Sequence, residues 1–299
     1  MERKPRIAFL WDGVKLHYGK RWLDGLWKAL QHLKADGWEI NYFEPYDRDA
    51  ILGYSPDCII YWGAFVELAT PTVIKYPFKK VNCFAGGSIT KENSEGFDLI
   101  FTESAINEEE LTEAGRPWMR AFGVNEELYK PMNLEKIYDG IIYGTFAGWK
   151  RHDLFADVMR EKGLAVGIKQ DHEKWCYEVC EKYGVTVLDE QSREKIVELI
   201  SQSKVALNTA DYWGGGQRMT LEAMACNVPP VVMYDSLKNC EYVEESGYGV
   251  ISNANPVDIK EAVRKAMEIT KHTGREYIMS KFTSRHYADA LKKGILSIL

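Results

Sequence analysis

The chain has 299 residues, of which 45% are hydrophobic and 27% are charged, so it is long enough to form two domains of ordinary size. Its net charge of -6 argues against general affinity for nucleic acid, which would need a local basic patch. No run approaches the roughly 20 apolar residues of a membrane span, and the first residues turn polar too soon for a secretory signal. We therefore expect a soluble, cytoplasmic protein.

The first half of the chain alternates short strand-like runs with polar crossovers. It opens with RIAFLWDG (6–13), an apolar run that breaks at Asp12 and Gly13, and Trp and Leu residues at helical spacing follow over residues 20–34. Further strand-like runs end in glycine or in a turn, at residues 38–45, 57–63, 80–87 and 97–104. This rhythm predicts a mostly parallel sheet with helices on both faces.

The alternation stops around Pro131 and then starts afresh, which places a first domain over residues 1–132 and a second over 133–282. Strand-like runs that alternate with helical ones cover residues 141–148, 164–168, 185–188, 205–210, 229–233 and 248–252. Residues 283–299 form one more predicted helix, which we expect to pack back toward the first domain. Two doubly wound units would bind ligands at the carboxyl ends of their strands.

Three glycines, Gly214, Gly215 and Gly216, lead directly into a short predicted helix, residues 217–226. Bare backbone amides at a helix N-terminus favour an anion such as phosphate, although three glycines also occur as a plain flexible loop. We expect the helix to end at Asn227 in a left-handed cap, because two prolines follow and block its continuation.

The segment LEAMACNVPPVV (221–232) resembles the nucleotide-sugar site of the retaining GT-B glycosyltransferases, the large family of group 1 glycosyltransferases. In that family an acid, seven residues and a second glutamate precede the letters AMA, a small residue and PVV. Glu222 takes the place of the second acid, which holds the ribose hydroxyls, and Gly214 stands where the first acid is usual. Residues 123–131 and 146–159 are similar to the segments that close the family's first domain and open its second.

The resemblance covers most of the chain and implies an α/β GT-B fold, in which two Rossmann-like domains face each other across a cleft. It also implies cations that grip the diphosphate of the donor, for which Lys150, Arg151 and Arg218 are the candidates. From the residues alone, Lys150 and Arg151 fit a solvated helix N-terminus as well, and Glu222 fits a surface acid at a helix start.

The remaining candidates complete the expected site. Asp12 and His17 follow the first strand and either orient the acceptor hydroxyl or serve as caps and loop residues. We assign to the donor site the following residues: Gly19, Gly215, Gly216, Gln217, Thr220 and Glu222.

We expect neither a metal nor a cofactor. Asp47 and Asp49 have a spacing that marks metal sites in another glycosyltransferase fold, but in a turn after a strand this spacing is usually fortuitous. Cys176 and Cys180 share one face of a predicted helix, where reduced, partly buried thiols are far commoner than a four-ligand zinc site.

The family implies a hexosyltransferase that moves a sugar from a nucleotide diphosphate sugar, UDP being the first choice, to an acceptor hydroxyl. It also implies retention of configuration by front-face transfer. The acceptor stays open between a glycan, a lipid-linked sugar, a protein and a modified nucleic-acid base. The alternatives are a nucleotide-sugar epimerase on the same fold and a catalytically silent nucleotide-sugar-binding module. An NAD dehydrogenase fits poorly, because no G-x-G-x-x-G follows a strand.

Overall fold

A computed structural model describes residues 3–11, 24–63, 69–84, 94–103, 105–169, 171–212 and 218–299. The chain divides into two compact units, Met1–Gly123 with Phe282–Leu299, and Val124–Lys281. Residues 124–132, which the sequence reading placed in the first domain, thus lie in the second unit. Arg275 ties them there, because its guanidinium donates to the backbone carbonyls of Tyr129 (2.8 Å) and Glu126 (3.0 Å).

Each unit contains a parallel sheet. The strands are β1 (Arg6–Leu10), β2 (Glu39–Phe43), β3 (Cys58–Gly63), β4 (Lys79–Phe84), β5 (Leu99–Thr102), β6 (Trp118–Arg120), β7 (Tyr138–Thr145), β8 (Gly163–Ile168), β9 (Thr186–Asp189), β10 (Ser203–Asn208), β11 (Pro230–Met233) and β12 (Val250–Ser252). The order is β2-β1-β3-β4-β5-β6 in the first sheet and β12-β11-β10-β7-β8-β9 in the second. The second order is that of a doubly wound Rossmann sheet. Its first three strands, β7 to β9, extend the sheet to one side, and its last three, β10 to β12, extend it to the other.

Helices connect these strands. They are α1 (Asp24–Ala35), α2 (Arg48–Tyr54), α3 (Thr70–Val73), α4 (Ala105–Glu113), α5 (His152–Met159), α6 (Lys174–Lys182), α7 (Arg193–Ser201), α8 (Arg218–Ala225), α9 (Leu237–Ser246), α10 (Pro256–Met267), α11 (Gly274–Lys281) and α12 (Ser284–Leu296). Short 3-10 helices cover Gly148–Lys150, Arg160–Lys162 and Asp171–Glu173. In the described part of the chain, no helix has the length and apolar character needed to cross a membrane.

The first sheet is buried on both faces, as its near-continuous apolar strands predict. One face packs against α1 and α12 through Leu30, Leu33, Leu291 and Ile295. The opposite face packs around Tyr61 with Val73 and other apolar side chains.

The last helix, α12, belongs to the first unit although it follows the whole of the second. Thr283 caps its N-terminus by accepting from the backbone of His286 (3.2 Å). A bidentate ion pair from Arg285 to Asp36 (2.9 and 3.0 Å) attaches its first turn to the end of α1. The first unit is therefore built from two separate pieces of chain.

The end of α8 has the predicted geometry. Asn227 adopts a left-handed conformation (φ +56°), and its backbone N–H and that of Val228 return to the carbonyls of Met224 and Ala223 at 2.9 Å. The side-chain oxygen of Asn227 also accepts from the backbone N–H of Arg275 (3.0 Å). This cap turns the chain directly into β11.

Candidate functional site

The candidate site lies at the carboxyl ends of β7 and β10, the neighbouring strands between which the strand order reverses. In doubly wound sheets this reversal opens a crevice that binds ligands. The turn after β7 carries Lys150, and α8, which follows β10, carries Arg218 and Glu222. Three of the predicted residues therefore come together here.

Lys150 is a buried cation, with only 7% of its surface exposed. Its Nζ donates to the backbone carbonyl of Tyr143 (2.8 Å), which is the one hydrogen-bond acceptor of this ammonium group among the described residues. Burial and the positive charge of Arg218 lower the pKa of Lys150 to about 8, and the charge of Glu222 opposes that shift. An ammonium group in this setting has hydrogen-bonding capacity left for an anionic ligand.

Gly144 makes room for the Lys150 amine. Its φ of +113° favours glycine, and a Cβ atom at this position would lie 2.5 Å from the Nζ of Lys150. Gly167, its register partner on β8, is equally constrained, because a Cβ there would overlap the carbonyl of Gly144. The two glycines allow the chain to place a cation directly against the strand end.

Glu222 is 3% exposed, and it is not the surface acid that the sequence left as an alternative. Tyr143 donates from its hydroxyl to Oε2 of Glu222 (2.8 Å) and lies 3.2 Å from the carbonyl of Met219. Burial, and then the charge of Glu222, raise the pKa of Tyr143 well above its ordinary value. Its hydroxyl therefore stays protonated and holds one carboxylate oxygen, while Oε1 has no donor among the described residues.

Tyr143 was not predicted as a site residue. It contacts both predicted charges, Lys150 through its carbonyl and Glu222 through its hydroxyl. One signal was present in the sequence, because a tyrosine inside a buried strand needs a partner for its hydroxyl.

Arg151 lies beside Lys150 but is engaged within the protein. Its guanidinium donates to the backbone carbonyls of Thr209 (2.7 Å) and Ala210 (3.0 Å) and to both carboxylate oxygens of Asp235 (2.6 and 2.8 Å). The solvated cation that was the alternative reading is therefore not what the structure shows. Asp235 is a second residue that the sequence analysis did not single out.

Thr220, which we expected in the donor site, is fully buried. Its hydroxyl accepts from the amide of Asn208 (3.0 Å) and donates to the side-chain oxygen of Asn239 (2.8 Å). Both partners lie in the same unit, and a contact between Thr220 and the donor stays a prediction. The network joins β10, α8 and α9.

His152 is a buried residue next to the site. Burial and the charge of Lys150 lower its pKa to about 3, so the imidazole is neutral. Its ring packs on Phe146, with 4.9 Å between the ring centroids. A neutral ring at the start of α5 avoids a further positive charge at a helix N-terminus.

Several predicted site residues lie outside the described residues. They are Asp12, His17, Gly19, Gly215, Gly216 and Gln217, together with Gly214, the position of the missing acid.

The residues considered for metal binding have other surroundings. The carboxylate of Asp47 accepts from the backbone N–H of Glu44 (3.2 Å) within a turn, and Asp49 lies in the first turn of α2. Cys176 and Cys180 are free and buried. Over the described ranges, no group of three or more His, Cys, Asp or Glu side chains is arranged to hold a metal ion.

The model of the family Glycosyl transferases group 1 matches residues 139–278, which lie within the second unit and include the whole candidate site. That segment, just under half of the chain, identifies the second unit as a group 1 glycosyltransferase domain. No curated protein sequence matches this glycosyltransferase.

Solved structures resemble this glycosyltransferase over nearly its entire length. Sucrose-phosphate synthase from Thermosynechococcus elongatus has a TM-score of 0.77 at 14% identity and covers 98% of both chains. HepE from Anabaena, in complex with UDP and glucose, has a TM-score of 0.72 at 14% identity and covers 98% of this chain and 100% of its own. UDP-GlcNAc 2-epimerase from Methanocaldococcus jannaschii, in complex with UDP-GlcNAc and UDP, has a TM-score of 0.62 at 11% identity over 98% of this chain and 99% of its own.

At these identities the structural likeness establishes the fold. The α/β GT-B class and the family that the sequence predicted are both confirmed. The protein is therefore an enzyme, a glycosyltransferase. Because transferases and an epimerase share the fold, the activity rests on the family match rather than on the architecture.

Proposed function

We propose that the enzyme transfers a sugar from a UDP-sugar to an acceptor hydroxyl, with retention of anomeric configuration and without a metal ion. One observation carries the proposal: a buried ammonium group, Lys150, lies within electrostatic range of both Arg218 and a buried carboxylate, Glu222, at the point where the strand order reverses. Cations there suit a diphosphate, and a carboxylate whose Oε1 has no donor in the described part of the chain suits the vicinal hydroxyls of ribose.

Lys150 supports the diphosphate part of the proposal. The charge of a buried lysine destabilises the unliganded protein, and a bound phosphate oxygen would add to the one acceptor that Lys150 has among the described residues. Negative charge grows on the diphosphate as the glycosidic bond breaks, so Lys150 and Arg218 would stabilise the transition state more than the ground state. Two such cations neutralise charge in the way a divalent metal does in other transferases.

The proposed reaction uses the departing phosphate as its base. The bond between the anomeric carbon and the phosphate oxygen breaks, and the acceptor oxygen bonds to the same face of that carbon. The hydroxyl proton of the acceptor passes to the released phosphate oxygen. In this scheme Glu222 binds the ribose and takes no part in the proton transfer, because Tyr143 holds its carboxylate in place.

The identity of the donor rests on weaker support. UDP is our choice because the structurally similar HepE binds UDP with glucose. The acceptor hydroxyl belongs to a glycan, a lipid-linked sugar, a protein or a modified nucleic-acid base.

Thermal shift measurements with UDP-, GDP- and ADP-sugars test the donor site, since a ligand that binds only the folded state raises Tm. We expect UDP-sugars to give the largest shift and Glu222→Ala to abolish it. Glu261→Ala, which removes an exposed acid paired with Arg264, is the matched control and should keep the shift. Equal shifts in wild type and Glu222→Ala would remove Glu222 from the site.

Product analysis distinguishes the activity from its alternatives. In the absence of an acceptor, we expect slow release of UDP and a hexose whose first-formed anomer, read by proton NMR, matches the donor. A nucleotide sugar with inverted ring stereochemistry would instead identify an epimerase, which the likeness to UDP-GlcNAc 2-epimerase makes the main rival. Binding without any turnover would identify a silent nucleotide-sugar-binding module.

A further inference from the structure

The guanidinium of Arg151 joins the loops that follow three strands. Arg151 itself follows β7, the carbonyls of Thr209 and Ala210 follow β10, and Asp235 follows β11. Four hydrogen bonds use four of the five N–H groups of the side chain. A planar guanidinium with this many fixed partners is held in one orientation.

Two further hydrogen bonds, both to backbone carbonyls, connect the loops after β7 and β10 close to Lys150. The hydroxyl of Thr209 donates to the carbonyl of Lys150 (2.5 Å), and the backbone N–H of Asp211 donates to the carbonyl of Trp149 (2.9 Å). The 3-10 turn that carries Lys150 is therefore attached to residues 209–211, from which the chain continues into the glycine segment. Any shift of one loop displaces the other.

Charge and conformation show why Asp235 matters to this connection. Arg151 has a left-handed backbone (φ +49°), which is strained for an arginine, and it precedes α5, where the helix dipole disfavours a cation. The bidentate carboxylate of Asp235 balances the positive charge at this helix N-terminus. Its side chain is 47% exposed, so the carboxylate contributes little to packing.

We propose that Arg151 and Asp235 form a positioning pair, which fixes the turn of Lys150 against the 209–211 segment and so shapes the diphosphate site without touching the ligand. The proposal rests on the proposed function and refines it, because Arg151 was expected to grip the diphosphate. Lys150 and Arg218 are then the side chains that supply charge to the ligand.

Replacement of Asp235 shows whether Arg151 binds phosphate or positions the site, because the two roles predict opposite changes in the affinity for UDP. If Arg151 bound phosphate, Asp235→Ala would free the guanidinium, remove a nearby negative charge and strengthen UDP binding. As a positioning pair, Asp235→Ala, Arg151→Ala and the double variant each weaken UDP binding to a similar extent, by about tenfold or more, because misplacement of the site has a large cost. Uridine, which has no phosphate, binds wild type and variants alike.

The experiment is calorimetric titration of the full chain with UDP, GDP, ADP and uridine, combined with kinetics of UDP-glucose hydrolysis. We expect KM to rise and kcat to fall in Asp235→Ala and in the isosteric Asp235→Asn, whereas Tm changes little. The control is Asp157→Ala, which breaks an exposed ion pair between Asp157 on α5 and Arg160. This variant should leave affinity and turnover unchanged. Asp235→Asn also gives a readout if the alanine variant does not fold.

Unchanged or tighter UDP binding by Asp235→Asn would overturn the positioning role, and so would additive losses in the double variant. Failure of wild type to bind any of the three diphosphates would overturn the donor site itself, and the pair's role with it. The two failures are therefore distinguishable.

Discussion

Lys150 has a positive charge in surroundings that disfavour it. The side chain is buried, a second cation lies nearby, and its hydrogen-bond acceptor within the described chain is a backbone carbonyl. Groups that lower stability in this way are typical of binding sites, because the ligand removes the cost.

Lys150→Met should therefore stabilise the unliganded protein and abolish the Tm shift caused by UDP. A pKa lowered from 10.5 to about 8 corresponds to a cost on the order of 3 kcal/mol for the charged form. Because the folded pKa lies below the unfolded one, this cost is fully present below pH 8 and disappears as the pH rises toward 10.5. We expect Tm at pH 7 to rise by a few degrees.

Lys136→Met is the control for that experiment. Lys136 is a lysine of the same unit whose side chain is exposed, and its amine donates to the carbonyls of both Ser201 and Ser203 (2.8 Å each). Its replacement should lower Tm and keep the UDP shift. A lower Tm for Lys150→Met as well would show that Lys150 is a structural cation.

Tyr143→Phe tests the orientation of Glu222. Loss of the hydroxyl leaves a buried carboxylate without its donor, which costs about 1–3 kcal/mol, and frees the carboxylate to rotate. We expect a lower Tm and a smaller preference for UDP over 2′-deoxy-UDP in competitive binding, since Glu222 would no longer be aimed at the ribose hydroxyls.

Tyr248→Phe provides the comparison, because its hydroxyl donates to the carbonyl of Asn227 (2.7 Å), away from the ribose acid. This variant should lose stability and retain the full preference for UDP. An equal loss of preference in both variants would mean that Tyr143 acts only on folding.

The sequence predicted the charged side chains of the site better than their supports. Lys150, Arg218 and Glu222 were identified from the family motif and from the chemistry of a diphosphate. Asp235 was not, because it lies 84 residues from Arg151 in the chain and only the folded sheet brings them together. The buried position of Thr220 also depends on long-range partners, Asn208 and Asn239.

Among the elements, α8 ends with the cap residue that the sequence predicted. Its left-handed cap was predictable because asparagine tolerates positive φ and the following prolines block a helix. The short helices α2, α3 and α11 and the strand β6 were not predicted. Elements of this length have too few residues for a hydrophobic period to stand out, and tertiary packing decides their conformation.

Substitution of Asn227 tests the cap. Asn227→Ala should lower the free energy of unfolding by about 1–2 kcal/mol, because a Cβ at φ +56° is strained and the bond from the N–H of Arg275 is lost. Asn227→Gly loses that bond but not the backbone preference, so chemical denaturation should rank it between wild type and alanine. An alanine variant as stable as the glycine variant would contradict this account of the cap.

At the scale of the whole molecule, α12 determines whether the first unit is complete. Leu291 is fully buried in the core that α12 shares with α1 and the first sheet. Leu291→Ala should lower the free energy of unfolding by about 2–5 kcal/mol in chemical denaturation, as a large-to-small core change does. UDP binding should persist, because the candidate donor site belongs to the second unit.

Leu296→Ala is the matched control on the same helix, since Leu296 is half exposed. Its effect should stay within about 0.5 kcal/mol. Loss of UDP binding in Leu291→Ala at temperatures where the second unit is folded would contradict the assignment of the donor site to that unit.

The placement of α12 also orders events during synthesis. The ribosome finishes Val124–Lys281 before it makes the residues that close the first sheet. The second unit can therefore form its native contacts before α12 packs on the first sheet. Until then, the apolar surface around Phe9 and Phe101 is accessible to chaperones. The unit formed by the middle of the chain can therefore complete its fold before the unit formed by the two ends.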